Sequence, residues 1–209
     1  MQTTTPPLFA EPTPLGLLGL SIGCGALLPI AFGQATTPAA LQTAAMFCLL
    51  FGGGGQLLAG LMALANKNAL GGTLFTTFSF NWIMNWWALS GMAEGKVPDA
   101  HVILAVDCTF IVIFVALTYA MGFHSKLLFA FLLDIDILYV ARIARELTGA
   151  AALSQVIAWA TVALMVLALW LAFALLLNPA AGRMILPIPG PLFAPTPAEP
   201  APPPTGLHG

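Results

Sequence analysis

Two long stretches of this sequence contain no charged residue: none lies between Glu11 and Lys67, and none between Glu146 and Arg183. Only 7% of the 209 residues are charged and 59% are hydrophobic, whereas soluble domains carry about 25% charged residues. Because so few charges cannot cover a water-soluble surface, the sequence predicts an integral membrane protein. The net charge of −2, without a basic cluster, argues against a nucleic-acid partner.

The apolar runs predict an all-α protein with six transmembrane helices. A spanning helix needs about 20 mostly apolar residues, and six runs meet this need: 15–33, 39–65, 70–92, 101–123, 127–148 and 152–177. We expect an N-terminal segment (1–14), a membrane domain (15–178) and a Pro-rich tail (179–209) that is disordered or, as the alternative, a docking peptide. A weak bias of Lys67, Lys126 and Arg183 predicts that both termini are cytoplasmic.

The stretch FGGGGQLLAG (51–60) places four glycines before Gln56. A phosphate loop would need Lys and Ser or Thr after the glycines, and a flexible linker would leave backbone groups unpaired in hydrocarbon. Small residues at spacings of three and four instead predict a helix that packs closely against a neighbour. The first run has the same character at Gly16, Gly19 and Gly23. Packing alone, or packing beside a narrow solute path, both fit this pattern.

Polar residues within the apolar runs are the candidates for function, because they are costly in a membrane. Thr73, Thr77, Asn81 and Asn85 recur every four residues and predict a polar stripe on one helix face. The stripe fits either hydrogen bonding to a small anion or hydrogen bonding between helices.

The fifth run contains several ionisable residues, including Asp134 and Arg142. Proton coupling or anion attraction is one interpretation, and a structural ion pair or subunit contact is the other. Arg142 and Glu146 are also spaced to pair along one helix. We find no nucleophile–base set, metal cluster or cofactor loop, so the sequence predicts no enzyme, no catalytic residue, no cofactor and no metal ion.

Several sequence blocks resemble one known family. EPTPLGLLGL (11–20) is similar to the N-terminal NPAPLGL signature of the acetate uptake transporter family, the succinate–acetate permeases. FGGGGQLLAGLMALANKNALGGTLFTTFSFNW (51–82) resembles that family's glycine–glutamine segment and the aromatic helix after it. GRMILPI (182–188) is similar to its closing block. The resemblance covers about residues 11–188.

The resemblance implies a homo-hexamer in the cell inner membrane that moves acetate or related carboxylates, commonly with protons. By position, the family's hydrophobic constriction falls on Leu20, Phe78 and Ile135, and Phe78 stands where the family has a tyrosine. Ala168 falls on a position linked to substrate range. We expect Thr13, Gln56, Asn81 and Asn85 to contact the solute.

The sequence therefore supports two functional hypotheses. The first is a channel or carrier for acetate or a similar monocarboxylate, which crosses as the protonated acid or with a proton. The second is a structural or accessory subunit of a membrane complex, without transport activity of its own.

Overall fold

The computed structural model describes residues 6–194, which form six helical rods. We number them α1 (Thr13–Ala31), α2 (Pro38–Ala65), α3 (Ala69–Ala93), α4 (Ala100–Gly122), α5 (Lys126–Thr148) and α6 (Ala152–Ala181). The predicted all-α fold with six helices is confirmed, and each boundary lies within four residues of the predicted run. Four of the six helices, α1, α2, α4 and α6, are long and apolar enough to cross a membrane.

Capping residues explain where the helices begin and end. At the start of α3, Asn68 Oδ1 accepts a hydrogen bond from Gly71 N at 2.9 Å. The side chains of Thr37, Asp99 and Ser125 accept equivalent bonds at the starts of α2, α4 and α5. Such caps satisfy backbone N–H groups that have no partner within the helix. After α5 and α6 the chain turns through glycines in the left-handed conformation, Gly149 (φ 66°) and Gly182 (φ 63°).

Both ends of the described chain lie at the same end of the helix bundle, which we call the terminal end. Phe9 exchanges two hydrogen bonds with the Asn66 side chain in the turn between α2 and α3. At the other end of the sequence, the backbone N–H groups of Leu192 and Phe193 donate to Gly122 O. Short connections reverse the chain after each helix, so six helices return it to the end at which it began.

The segment after α6 is folded rather than loose. Asn178 accepts hydrogen bonds from the backbone of Ile185 and Leu186 and donates one to Leu186 O. Further on, Ser125 Oγ donates to Pro189 O at 2.8 Å. Part of the tail expected to be disordered from residue 179 is therefore packed against the bundle, because side chains of α6 and the α4–α5 turn bind its backbone. The rest of the predicted tail, 195–209, lies outside the described residues.

The four glycines lie in a π-helical segment of α2, Cys48–Gly55. A Cβ atom on Gly52 would collide with the Trp82 indole of α3, and one on Gly19 of α1 would collide with Phe51 O. Ser79 Oγ of α3 donates to Gly53 O at 2.9 Å and so satisfies a carbonyl in this wider helix. The predicted close packing of the glycine-rich helices is confirmed.

The helices pack largely in chain order. Contacts join α1 to α2 and α2 to α3, then α4 to α5 and α5 to α6, while α1 also packs against α6. Phe78 of α3 meets Phe114 of α4 edge to face, with ring centroids 5.2 Å apart. This arrangement brings α1, α3, α5 and α6 around a shared interior.

Candidate functional site

A cavity of about 180 Å³ lies between α1, α3, α5 and α6, and we call it the central cavity. It brings together several residues that the sequence analysis had singled out on separate helices. The polar members of this set come from α3 and α5, so the half of the predicted stripe nearest the end of α3 faces the cavity. Its lining includes Phe78, Asn81, Asn85, Ile135 and Arg142.

Two further polar groups in the wall of the central cavity lack partners. Trp82 Nε1 and Tyr139 Oη are buried and have no hydrogen-bond partner among residues 6–194, and both side chains line the cavity. Tyr139 is 1% exposed and Trp82 is 3% exposed. Because buried polar groups are normally paired, these two unpaired donors are unusual features of the cavity wall.

A second cavity, of about 120 Å³, opens near the terminal end, and we call it the terminal cavity. Thr13, Asn68 and His124 contribute its polar lining. Thr13 is already engaged, because its hydroxyl and its backbone N–H both donate to the Glu11 carboxylate. Glu11 therefore restrains the hydroxyl that we expected to contact the solute.

Leu20, Phe78 and Ile135 lie between these two cavities along the helices, and we call them the apolar layer; Phe78 and Ile135 also line the central cavity. Along α5, Phe131 lines the terminal cavity, Ile135 follows one turn later, and Tyr139 lines the central cavity another turn on. The other two members occupy the same register. Leu20 lies between Leu17 and Cys24, and Phe78 between Phe75 and Asn81. All three layer residues are at most 5% exposed and belong to one core cluster.

Aromatic packing holds this layer in place. Phe114 of α4 is fully buried, and its ring lies 5.2 Å from Phe78 and 5.5 Å from Tyr139 between centroids. Phe110 stacks on both Phe114 and Tyr139. A change in the position of the Phe78 ring would therefore disturb its packing against the buried rings of Phe114 and Tyr139.

A third cavity, of about 350 Å³, lies at the end of the bundle opposite the termini, and we call it the far cavity. It has a charged lining that includes Asp107, Arg142, Arg145 and Glu146. It shares Leu27, Asn85, Arg142 and Ile157 with the central cavity. The two cavities therefore meet at Arg142 and Asn85.

Arg142 forms an ion pair with Asp107 of α4, with Nε and Oδ2 2.9 Å apart. The sequence analysis had considered Asp134 and Glu146, both on the same helix as Arg142, as its partners. The structure corrects this pairing, because packing of α4 against α5 places a buried carboxylate nearer than either of them. Asp134 is half-buried, and its Oδ2 has no partner among the described residues.

The remaining predicted residues lie outside the three cavities. Gln56 follows the π-helical segment and is 1% exposed, and its Oε1 lacks a partner within residues 6–194. Ala168 is fully buried in α6. Neither lines the three cavities described above. Thr73 is exposed and Thr77 is half-buried, so the stripe on α3 is divided between the surface and the interior.

Sequence reasoning missed Asp107, Tyr139 and Trp82 as parts of the site. An isolated acid in the apolar run 102–123 was the available signal for Asp107, since such a residue needs a partner in a membrane. A second buried acid, Asp136, accepts a hydrogen bond from Thr118 of α4 at 2.7 Å. The Arg142–Asp107 and Thr118–Asp136 pairs each join two helices, so the spacing of residues along one helix does not predict them.

Comparison with known proteins identifies a solved structure with the same fold. No protein-family model and no curated protein sequence matches the chain. Among solved structures, the bacterial acetate channel SatP superposes with a TM-score of 0.78 and 23% sequence identity, over 86% of this chain and 99% of the channel. The chain therefore shares the fold of this acetate channel, as the sequence resemblance predicts.

Proposed function

We propose that this protein passes acetate or a similar small monocarboxylate across the cell inner membrane, through a path inside each protomer. The observation that carries the proposal is the order of the three cavities. The terminal, central and far cavities follow one another along the helices, and the apolar layer of Leu20, Phe78 and Ile135 lies between the terminal and central cavities. The shared fold with an acetate channel supports the choice of substrate.

In this proposal the apolar layer is a hydrophobic constriction. An unpaired carboxylate is costly in apolar surroundings, so the layer favours the protonated acid over the anion. Asn81 and Asn85 offer amide donors on the central side of the layer, and Thr13 lies on the terminal side.

The proposal includes the coupling of solute movement to protons. Asp134 has a carboxylate oxygen without a protein partner, and Arg142 lies two turns further along the same helix. Since an ionisable residue within a membrane helix is costly, its presence favours a role in proton or anion movement.

We further propose that all six helices span the membrane, with both termini in the cytoplasm. The polar residues that lower the hydropathy of α3 and α5 include Asn81, Asp136 and Arg142, which are buried or line cavities. Lipid would therefore not meet them. Lys67, Lys126 and Arg183 all lie at the terminal end, which favours that end as the cytoplasmic one.

A homo-hexamer is the proposed assembly. The outward surface of α4 carries exposed apolar side chains, among them Val112 (71%) and Tyr119 (60%), which suit lipid or a neighbouring protomer. Native mass spectrometry of the detergent-purified protein should give six times the 21.8 kDa protomer mass. A monomer under several mild detergents would contradict the assembly, but it would leave the path within one protomer intact.

Uptake of radiolabelled acetate into proteoliposomes tests the function. We expect uptake above that of protein-free liposomes, with stimulation by an inward proton gradient and competition by unlabelled propionate. Liposomes that carry an unrelated membrane protein at the same protein-to-lipid ratio control for leak. If acetate uptake equals the leak and the protein copurifies with an unrelated complex, the accessory-subunit hypothesis replaces transport.

A further inference from the structure

Arg142 is bound to the protein through only part of its guanidinium group. Its Nε donates to Asp107 Oδ2, and this is its only hydrogen bond among the described residues. The Arg142 side chain is 26% exposed, whereas that of Asp107 is 6% exposed. Arginine carries five N–H donors in a planar fork, so its two terminal nitrogens are left for a solute.

The surroundings of this guanidinium supply further donors. It lies over the Tyr139 ring, 5.5 Å from the ring centroid, and the buried Tyr139 hydroxyl has no partner within residues 6–194. Asn85 lines the same two cavities as Arg142. A planar cation, a phenol and an amide that line the same cavity match the acceptor-only chemistry of a carboxylate.

We propose that Arg142, Tyr139 and Asn85 form a binding site for a small carboxylate anion where the central and far cavities meet. Asp107 is a positioning residue in this site, because it holds Nε and leaves the terminal guanidinium nitrogens available. The site rests on the proposed function only for the choice of acetate as its natural ligand. The anion is bound beside the apolar layer rather than within it, so the preference of the layer for the neutral acid is unaffected.

The arrangement predicts an unusual sign for one substitution. Asp107 carries a negative charge that competes with the solute for the same guanidinium group. Asp107→Asn removes this charge and keeps an oxygen that can accept from Nε. If Asp107 only stabilised the fold, the substitution would weaken ligand binding or leave it unchanged. In the proposed site it strengthens the binding of a carboxylate.

The test measures the dissociation constant for acetate by thermal-shift titration of the purified full chain with potassium acetate, at constant ionic strength against potassium chloride. We expect Arg142→Gln to raise this constant by about tenfold or more, since hydrogen bonds to a charged group are lost. Asp107→Asn should lower it by about threefold. An unchanged constant in Arg142→Gln, or an equal stabilisation by chloride, overturns the proposal.

Two further variants control for nonspecific effects of charge and for loss of folding. Arg183→Gln removes an exposed arginine that follows α6 and lines none of the three cavities, and it should leave the dissociation constant unchanged. Arg142→Gln leaves Asp107 without its partner, and this variant could fail to fold for that reason. The double variant Asp107→Asn with Arg142→Gln removes both charges. It should show the same raised dissociation constant for acetate that is expected of Arg142→Gln alone. Acetate binding that depends on Arg142, without acetate uptake, would contradict the transport function alone. Uptake with wild-type binding in the double variant would contradict the site alone.

Discussion

Phe78 occupies the position at which the resembling family carries a tyrosine, yet a phenol hydroxyl is present nearby. Tyr139 lines the same cavity as Phe78, and both rings contact Phe114. The Tyr139 hydroxyl has no partner among residues 6–194 and is buried. Tyr139, which lies on α5 one turn beyond Ile135, therefore places a phenol hydroxyl near the position where the resembling family has its tyrosine.

Truncation of Phe78 tests whether the apolar layer is a size filter. Phe78→Ala should widen the layer, so the ratio of butyrate uptake to acetate uptake should rise by about tenfold, the scale at which pockets discriminate between chain lengths. Uptake into proteoliposomes measures both rates, after size-exclusion chromatography has shown that the variant is folded. Phe80→Ala is the matched control, because Phe80 lies on the same helix but is 58% exposed. Equal ratios in the two variants would remove Phe78 from the path.

The two aspartates of α5 should differ in their effect on the pH dependence of uptake. Asp136 is bound to Thr118, whereas Asp134 has a carboxylate oxygen without a protein partner. If Asp134 exchanges protons during transport, Asp134→Asn flattens the dependence of initial acetate uptake on external pH. Asp136→Asn, with its partner hydroxyl able to rotate, should retain the wild-type profile. Identical profiles for wild type and Asp134→Asn would leave that residue with a structural role.

At the scale of the elements, the helices themselves could be predicted and their pairing could not. The length of the apolar runs is a local signal, so the predicted boundaries agree closely with the observed ones. The Arg142–Asp107 bond joins two helices, and 35 residues separate its members. Only the packing of α4 against α5 defines this bond.

The π-helical segment was also beyond prediction from the sequence. Glycines at helical spacing indicated that neighbouring helices approach closely, and they do so at Gly52 and Gly19. The change in helix type depends on how α2 fits between α1 and α3, including the bond from Ser79 to Gly53 O. Such segments are frequent at functional sites. Here the segment packs against Trp82, which lines the central cavity on its other side.

Two neighbouring glycines in this segment should respond differently to a methyl group. A Cβ on Gly52 would meet the Trp82 indole, whereas one on Gly54 would meet only Leu49 O, at 3.6 Å. We expect Gly52→Ala to destabilise the protein by about 1–3 kcal/mol through overpacking. Gly54→Ala should be neutral or stabilising by about 1 kcal/mol, since alanine favours helix. Thermal denaturation in detergent compares the two, and equal melting temperatures would contradict close packing at Gly52.

At the scale of the whole molecule, the chain closes on itself at the terminal end. The segment after α6 crosses the turn between α4 and α5, where Lys126 N donates to Gly190 O at 2.9 Å and Ser125 Oγ donates to Pro189 O. Trp170 Nε1 of α6 donates to Pro187 O at 3.1 Å. The segment 182–190, which begins with the GRMILPI block and which composition placed in a loose tail, therefore joins α6 to the α4–α5 pair next to the terminal cavity.

The Phe193 ring anchors the C-terminal part of this segment to the bundle, and truncation of this side chain should release the segment. Its ring packs among Tyr119, Phe123 and Phe129, over Gly122. Because Phe193 is only half-buried, Phe193→Ala should cost about 2 kcal/mol, below the range for a fully buried phenylalanine. It should also make the chain after Gly182 sensitive to protease.

Leu192→Ala provides the matched control for this prediction. Leu192 is 43% exposed, and its bond to Gly122 O comes from the backbone, which the substitution leaves intact. Melting temperature and limited proteolysis, followed by mass spectrometry, measure both variants. If Phe193→Ala melts and is cleaved as Leu192→Ala is, the aromatic contacts do not hold the segment. The hydrogen bonds of Asn178 and Ser125 would then be sufficient to hold the segment across the α4–α5 turn.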